Sequence, residues 1–333
     1  MFESRAQVLT DCQAYPRWLG DIGGTNARFG WQTSPNGAVE DVMVLPCAEF
    51  ESLAAAAQAY LERTQKTAPD CAAFGIANPV VGDAVAMTNH HWRFSIDELR
   101  SDLGLKRLVM LNDFTALALA LPTLESSTLR QVGSGMPTPH AAIGLLGPGT
   151  GMGVSGLLPV SGTYPWTPLA GEGGHVTLAP TTEWEFAVVS LLRERYGHVS
   201  LERVVSGLGL VDVYHAICQL KDSGGREITQ AAQVLERADL EPGSSANDAL
   251  DLFCAFLGDA AGNLALTLGA RGGIYIGGGI VPRLGERFDK SLFRERFEAK
   301  GRFKSYLRAI PTFVIESRIS PALSGASHAL DLA

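Results

Sequence analysis

A glycine-rich stretch near the start of the chain constrains the fold more than any other. An apolar run leads into Asp21, the adjacent Gly23 and Gly24 follow, and Thr25 and Asn26 precede a second apolar run. This order predicts a strand, a tight turn and a second strand. Glycines let an anion approach backbone N–H groups, and the two polar side chains add donors. The stretch therefore predicts a loop that binds phosphate.

Asp21 carries a negative charge at the end of the predicted strand, where it faces the bound phosphate. A carboxylate and a phosphate repel each other unless a divalent cation lies between them, so the pair implies magnesium. A simpler interpretation is a Gly-Gly hairpin in which Asp21 only caps the turn. This stretch alone leaves both interpretations open.

Length and charge limit the classes of protein to consider. The chain has 333 residues, more than a single core usually holds, so two domains or lobes with a cleft are expected. The net charge of −8 is spread without long runs of one sign, which argues against nucleic acid or an anionic membrane as the main partner.

Cysteine usage and hydropathy indicate the compartment. Five scattered cysteines without a Cys-x-x-Cys pair disfavour a disulfide framework and a zinc ribbon, and fit a reducing cytoplasm. We find no signal peptide in the first 16 residues and no run of about 18 apolar residues. Residues 1–16 are interpreted as a loosely attached extension.

Predicted strands and helices alternate along the chain, which indicates an α/β protein. An apolar strand at 108–111 ends in Asn112 and Asp113, and an alanine- and leucine-rich helix follows directly. Ligands of α/β proteins bind at the carboxyl ends of strands, so Asp113 is a candidate site residue. The alternative is that Asp113 merely caps the helix.

Two further glycine-rich segments follow predicted strands. The first contains Gly149, Thr150 and Gly151 and predicts a second phosphate loop, and the other is the glycine run 277–279. Residues 151–156 also satisfy the dinucleotide pattern G-x-G-x-x-G, but a strand-like run follows them instead of a helix. A dinucleotide-dependent dehydrogenase is therefore disfavoured, and no P-loop motif occurs in the chain.

A third kind of loop carries Glu172 and His175 between glycines. Flexible backbone around two polar groups indicates a binding loop, although a lone histidine is more often structural. Glu202, taken by itself, has the pattern of a solvated glutamate at a helix start.

These motifs occur together in one order: Asp21-Ile-Gly-Gly-Thr-Asn26, Leu111-Asn-Asp-Phe-Thr115, Gly147-Pro-Gly-Thr-Gly151, Gly171-Glu-Gly-Gly-His175 and Gly277-Gly-Gly-Ile-Val-Pro-Arg283. In this combination the sequence resembles bacterial glucokinases, the ATP-dependent branch of the actin-like hexokinase superfamily. The resemblance extends from about residue 18 to the end of the chain. The cysteine-rich zinc motif of the related repressor-kinase branch is missing.

The resemblance implies a two-lobed actin-like (ribonuclease H-like) α/β fold with glucose in the cleft. It implies a small α/β lobe of residues 17–123 and 317–333, and a larger, helix-rich α/β lobe of residues 124–316. The C-terminal helix then returns to the first lobe. The family is expected to be cytoplasmic and homodimeric, and to catalyse the entry step of glycolysis with ATP and Mg²⁺.

The resemblance also assigns roles to individual residues. Asp113 is the expected catalytic base, and Asp21 the expected magnesium contact, through water. The expected glucose-binding residues are Asn112, Asp113, Glu172, His175 and Glu202. The expected ATP and phosphate contacts are Asp21, Gly23, Gly24, Thr25, Asn26, Gly149, Thr150, Gly151, Gly277, Gly278 and Gly279.

Two rival functions keep the same scaffold. One is a kinase for another hexose, such as mannose or an amino sugar. The other is a sugar sensor without catalysis, against which Asp113 and the complete phosphate loops count.

Overall fold

A computed structural model describes residues 15–35, 37–88, 90–161, 165–224, 227–317 and 320–332. The predicted N-terminal extension, apart from its last two residues, lies outside the described part. Contacts divide the chain into two compact units, which are described separately below. The first comprises Met1–Leu124, Val160–Ala170 and Ser317–Ala333, and the second Glu125–Pro159 and Gly171–Glu316.

The strands in chain order are β1 (Arg17–Ile22), β2 (Asn26–Gln32), β3 (Glu40–Pro46), β4 (Cys71–Ile76), β5 (Ala84–Ala86), β6 (Arg93–Ser95), β7 (Arg107–Asn112), β8 (Leu129–Val132), β9 (Ile143–Pro148), β10 (Met152–Pro159), β11 (Trp166–Gly171), β12 (Ile274–Ile276) and β13 (Thr312–Ile315). The α-helices are α1 (Leu53–Thr64), α2 (Ile96–Asp102), α3 (Asp113–Ala120), α4 (Glu183–Tyr196), α5 (Gly207–Leu220), α6 (Ala231–Leu240), α7 (Ser245–Leu268), α8 (Val281–Leu284), α9 (Glu286–Asp289), α10 (Phe293–Glu298), α11 (Lys304–Arg308) and α12 (Ala322–Ala329).

The first unit contains a five-stranded sheet in the order β3-β2-β1-β4-β7. Strands β1 to β3 are antiparallel neighbours, whereas β4 runs parallel to both β1 and β7. One face of the sheet buries an aromatic cluster, in which Trp18 stacks on Tyr60 of α1 and meets Phe74 edge-on. Burial of such large apolar surfaces stabilises the unit and fixes the strand register.

The opposite face of this sheet is covered by helix α12 from the end of the chain. Leu323 and Ala326 pack on Leu19 and Ala73. Gly325 lies so close to α3 that a Cβ atom built on it would be 1.7 Å from the carbonyl oxygen of Ala116. Only glycine permits this approach, so α12 is tightly seated on the helix that begins at Asp113.

The second unit contains most of a six-stranded sheet in the order β11-β10-β9-β12-β13-β8. Strand β12 is parallel to β9 and β13, and the β9-β10 and β13-β8 pairs are antiparallel. The strands at both edges, β8 and β11, were not predicted from the sequence. They are short segments with several polar or exposed residues, so their hydrophobic pattern is weak.

Helix α7 is the central helix of the second unit. It is the only described helix long and apolar enough to cross a membrane, with a mean hydropathy of 1.4 over the relevant window. However, 67% of that window is buried inside the structure, where Phe253, Phe256 and Leu257 join the main core. It is therefore a core helix of the second unit, and it ends at Leu268.

Candidate active site

The first predicted phosphate loop is the turn between β1 and β2, which confirms the predicted strand, turn and strand. The Gly23 N–H donates to the Asn26 carbonyl at 2.9 Å and closes the turn. Cys47 stabilises the loop through two hydrogen bonds. Its N–H donates to the Thr25 carbonyl and its thiol donates to the Gly23 carbonyl. Burial raises the pKa of the Cys47 thiol, so it stays protonated and can donate.

Two backbone N–H groups of this loop are available to bind an anion. Within the described residues, the N–H groups of Gly24 and Thr25 donate to no other group, and the Thr25 side chain is exposed. Two successive donors of this kind are available to a phosphate oxygen. Neither Gly23 nor Gly24 has a positive φ, so the glycines serve close approach of a ligand here and not an unusual backbone angle.

Asp21 is the next-to-last residue of strand β1, close to this loop, and is 9% exposed. It pairs across the hairpin with Arg28, whose Nη1 lies 3.5 Å from Asp21 Oδ2. The described residues include no cluster of three or more histidine, cysteine or carboxylate side chains that could hold a metal. Magnesium usually keeps several waters and takes only one or two carboxylates plus substrate phosphates, so a single Asp21 is a suitable contact.

Asn112 and Asp113 lie where β7 turns into α3. Asn112 is the N-cap, since its Oδ1 accepts from the N–H groups of Phe114 at 2.9 Å and Thr115 at 3.2 Å. Asp113 is the first helical residue, and its Oδ1 accepts from the Phe114 N–H at 2.9 Å. The alternative that Asp113 is the helix cap is therefore wrong, because Asn112 has that role.

The sheet brings Asp113 to the same edge as the first loop. Asp21 pairs with Gly75 of β4, and Ile76 of β4 pairs with Asn112 of β7. Adjacent strands are about 4.8 Å apart, so the ends of β1 and β7 are about 10 Å apart. Both lie at the carboxyl ends of parallel strands, where α/β proteins place ligands.

The second predicted phosphate loop is the turn between β9 and β10 in the second unit. The Gly149 N–H donates to the Gly151 carbonyl, and the Gly149 carbonyl accepts from Gly207 at the start of α5, each at 2.8 Å. Within the described residues, the amides of Thr150 and Gly151 donate to no other group. This loop thus offers two successive N–H groups and an exposed threonine, as the first loop does.

The glycine run 277–279 lies against the end of β9, just before the second loop. The Gly277 N–H donates to the Leu146 carbonyl at 2.7 Å. Gly278 has a φ of +80°, and a Cβ atom there would be 2.3 Å from the Pro148 carbonyl oxygen. Gly279 faces open space. Glycine is thus required at 278, and the turn presents bare backbone beside the loop.

The loop that carries Glu172 and His175 packs on strand β10. A short 3₁₀ turn spans Gly173–His175, and a Cβ atom on Gly174 would be 2.1 Å from the Met152 carbonyl oxygen. The Glu172 and His175 side chains are 53% and 61% exposed, with Oε2 and Nε2 4.0 Å apart. Both polar groups are therefore presented outward from a rigidly held turn.

Glu202 joins this loop to the second phosphate loop. Its N–H donates to the Gly174 carbonyl at 2.9 Å, and its Oε2 accepts from the Met152 N–H at 2.8 Å. The expectation of a solvated glutamate is wrong, because the carboxylate is half-buried and hydrogen-bonded. No local sequence signal could have revealed this contact, since Met152 lies 50 residues away.

The predicted site residues thus form two groups. Asp21, the 23–26 turn, Asn112 and Asp113 share one sheet edge in the first unit. Gly149 to Gly151, Glu172, His175, Glu202 and the 277–279 turn converge in the second. A largely apolar cavity of about 370 Å³ lies beside the second group, lined in part by Gly173, Val176 and Leu201, but it contains none of the predicted polar side chains.

Comparison with known proteins defines the class first. The structure resembles the crystal structure of a glucokinase from an Antarctic psychrotroph, with a TM-score of 0.84 and 34% identity over 96% of this chain and 99% of that one. The fold is the two-lobed, actin-like α/β fold of sugar kinases.

The family follows from the sequence. The glucokinase family model matches residues 18–333. The glucokinase of Chromobacterium violaceum is 51% identical over 96% of this chain and 90% of its own length. That of Aromatoleum aromaticum is 51% identical over 97% of each chain. The chain belongs to the glucokinase family, as the motif resemblance predicted.

Proposed function

We propose that the chain transfers the γ-phosphoryl group of ATP to the 6-hydroxyl of D-glucose, giving glucose 6-phosphate and ADP (EC 2.7.1.2). The observation that carries this proposal is the set of two amide-presenting loops together with a carboxylate, Asp113, at the same sheet edge as the first loop. Membership of the glucokinase family supports glucose as the acceptor.

Phosphoryl transfer requires positioning and charge neutralisation more than covalent chemistry. In our proposal the amides of Gly24, Thr25, Thr150 and Gly151 hold phosphate oxygens, and the 277–279 turn accommodates the adenosine. Asp113 accepts the proton of the 6-hydroxyl as the new bond forms.

Recognition of glucose is assigned to Asn112, Asp113, Glu172, His175 and Glu202. The Oδ1 of Asn112 is occupied by the cap, so its Nδ2 donors are left for a sugar oxygen. The glutamates supply acceptors for hydroxyl groups. A sugar that lacks a matching hydroxyl leaves a polar group unpaired, which costs about 1–3 kcal/mol.

We further propose Mg²⁺ as the cofactor, with Asp21 as its protein contact through water. Asp21 would hold the metal beside the first phosphate loop, and magnesium would supply positive charge that neutralises the phosphate oxygens. A homodimer in the cytoplasm, with no nucleic acid or membrane partner, completes the proposal. It is supported by the family resemblance and by the dispersed acidic charge.

The test is a coupled assay of glucose 6-phosphate formation with the purified protein. We expect turnover that needs ATP, glucose and Mg²⁺ together, and that stops when EDTA removes the metal. Glucose-dependent turnover in the presence of excess EDTA would overturn the magnesium proposal. Absence of product with all components present would overturn the enzymatic function. Size-exclusion chromatography with light scattering tests the dimer.

A further inference from the structure

Backbone hydrogen bonds fix the segment that contains Glu202 to the loop of Glu172 and His175. The Leu201 N–H donates to the Val176 carbonyl and the Glu202 N–H donates to the Gly174 carbonyl, both at 2.9 Å. Thr177 and Ser200 form an antiparallel bridge one step further along. Changes in the Glu202 side chain therefore leave this short ladder in place.

The Glu202 side chain contacts the second phosphate loop, which is assigned to ATP. Its Oε2 accepts from the Met152 N–H at 2.8 Å, at the residue where the second phosphate loop enters β10. The contact is close enough that a Cβ atom on Gly151 would be 2.5 Å from the same oxygen. An ionised acceptor makes a stronger hydrogen bond than a neutral one, so this contact is well suited to order the loop.

The phosphate loop has one other hydrogen bond to the chain beyond it among the described residues. The Gly149 carbonyl accepts from Gly207, just after the N-cap Ser206 of α5. Glu202 thus restrains the end of the loop at Met152, and Gly207 restrains its beginning. The free amides of Thr150 and Gly151 lie between these two restraints.

We propose that Glu202 is a positioning residue for the nucleotide as well as a sugar contact: its carboxylate holds the second phosphate loop in the conformation that binds ATP, and thereby couples the two substrates. This inference rests on the proposed function. It goes beyond that function because it predicts that a residue assigned to glucose controls nucleotide affinity even when no sugar is bound.

Two conservative variants separate the hydrogen bond from the charge. Glu202→Asp keeps the negative charge but withdraws the carboxylate by one methylene, beyond hydrogen-bonding distance of Met152. Glu202→Gln keeps the length and an acceptor oxygen but removes the charge. Loss of a negative charge near phosphates should by itself strengthen nucleotide binding, so the charge effect and the loop effect have opposite signs.

The measurement is calorimetric titration of the full chain with AMP-PNP and Mg²⁺ in the absence of sugar. We expect Glu202→Asp to weaken binding by about fivefold to tenfold, and Glu202→Gln to remain within about twofold of wild type. Glu172→Ala is the matched control, because this exposed carboxylate lies on the loop next to the Glu202 segment and, among the described residues, has no hydrogen bond to Met152. It should weaken glucose binding only.

Sugar-free nucleotide affinity that is unchanged in Glu202→Asp overturns the inference, because Glu202 would then act on the sugar alone. Tighter binding in Glu202→Gln with no loss in Glu202→Asp also overturns it, because charge would then dominate. These outcomes are distinct from failure of the proposed function, in which wild type itself forms no glucose 6-phosphate. Circular dichroism establishes that each variant is folded. If only one variant folds, its nucleotide affinity is compared with that of wild type by itself.

Discussion

Asn112 caps the helix that Asp113 begins: the Asn112 Oδ1 lies 2.9 Å from the amide nitrogen of Phe114 and 3.2 Å from that of Thr115. Asn112 and Asp113 thus have different roles at the end of β7. Asn112 fixes the direction in which α3 leaves the sheet, and Asp113 carries the carboxylate in the first turn, at the positive end of the helix dipole. The consequences of changing each residue should therefore differ.

Asp113→Asn should leave glucose binding nearly intact and lower kcat by a factor on the order of 10² or more. The amide keeps the size and one acceptor oxygen of the carboxylate but cannot accept the hydroxyl proton. Calorimetry with glucose and steady-state kinetics measure the two quantities separately. Near-normal turnover in this variant would refute the assignment of Asp113 as the base.

Asn112→Ala should lower the free energy of unfolding by about 1 kcal/mol, because it removes the N-cap of α3. Asn112→Ser is the control, since serine keeps a capping oxygen but lacks the amide donors. We expect the serine variant to have near wild-type stability and a raised KM for glucose. Urea unfolding and initial rates test both statements. Equal stability losses in the two variants would contradict the capping role.

Gly278→Ala should raise the KM for ATP by about tenfold or more, with glucose affinity little changed. A methyl group there meets the Pro148 carbonyl at 2.3 Å on a backbone with φ of +80°, so the turn must move. Gly279→Ala, next in sequence, points into open space and should have a much smaller effect. A comparable rise of KM in both variants would show that the steric argument is wrong.

Gly325→Ala should destabilise the first unit by about 1–3 kcal/mol, because the added methyl overlaps the Ala116 carbonyl of α3. The comparison is Ser324→Ala on the same helix, where the side chain is only half-buried. Thermal unfolding followed by circular dichroism gives the difference. If Gly325→Ala unfolds at the wild-type temperature, α12 is not seated as closely on α3 as described.

Asp331 gives a prediction about pH. Burial alone would raise the pKa of this carboxyl, but the His328 hydrogen bond and the Arg17 guanidinium, 2.5 Å away, hold the pKa at about 2. A lowered folded-state pKa stabilises the fold above the ordinary value near 4, and the stabilisation is lost as pH falls toward 2. Asp331→Asn should therefore be less stable than wild type at pH 7, and the gap should narrow between pH 5 and pH 3.

Urea unfolding of both proteins at pH 7, 5, 4 and 3 measures that gap. A constant difference across the series would mean that the ion pair with Arg17 is not its source. Arg17 is itself 1% exposed, so loss of its partner leaves a buried charge with fewer contacts.

Local signals in the sequence were sufficient for several parts of the fold. The glycine pair between two apolar runs predicted the β1-β2 hairpin, because turn and strand preferences act over a few residues. Thr182 and Glu185, three residues apart, form a capping box at the start of α4, and their spacing is visible in the sequence. Such features depend on neighbours in the chain, which the sequence displays directly.

Contacts between distant parts of the chain could not be predicted in this way. Edge strand β8 is defined by its pairing with the remote strand β13 and not by its own pattern. The segment 85–94 contains several polar residues, yet its Val85 and Trp92 are buried. The bond from Glu202 to Met152 likewise depends on the folded arrangement. The roles of the site residues themselves remain predictions from family resemblance.

The most direct test of the account compares kcat/KM for glucose with that for mannose, fructose and N-acetylglucosamine, with ATP and Mg²⁺ at fixed concentrations. We predict a strong preference for glucose, because the residues proposed to hydrogen-bond the sugar hydroxyls are assigned to this sugar. A higher kcat/KM for any of the other three sugars would contradict the roles given to Glu172, His175 and Glu202. Absence of phosphorylation with all four would contradict the enzymatic function itself.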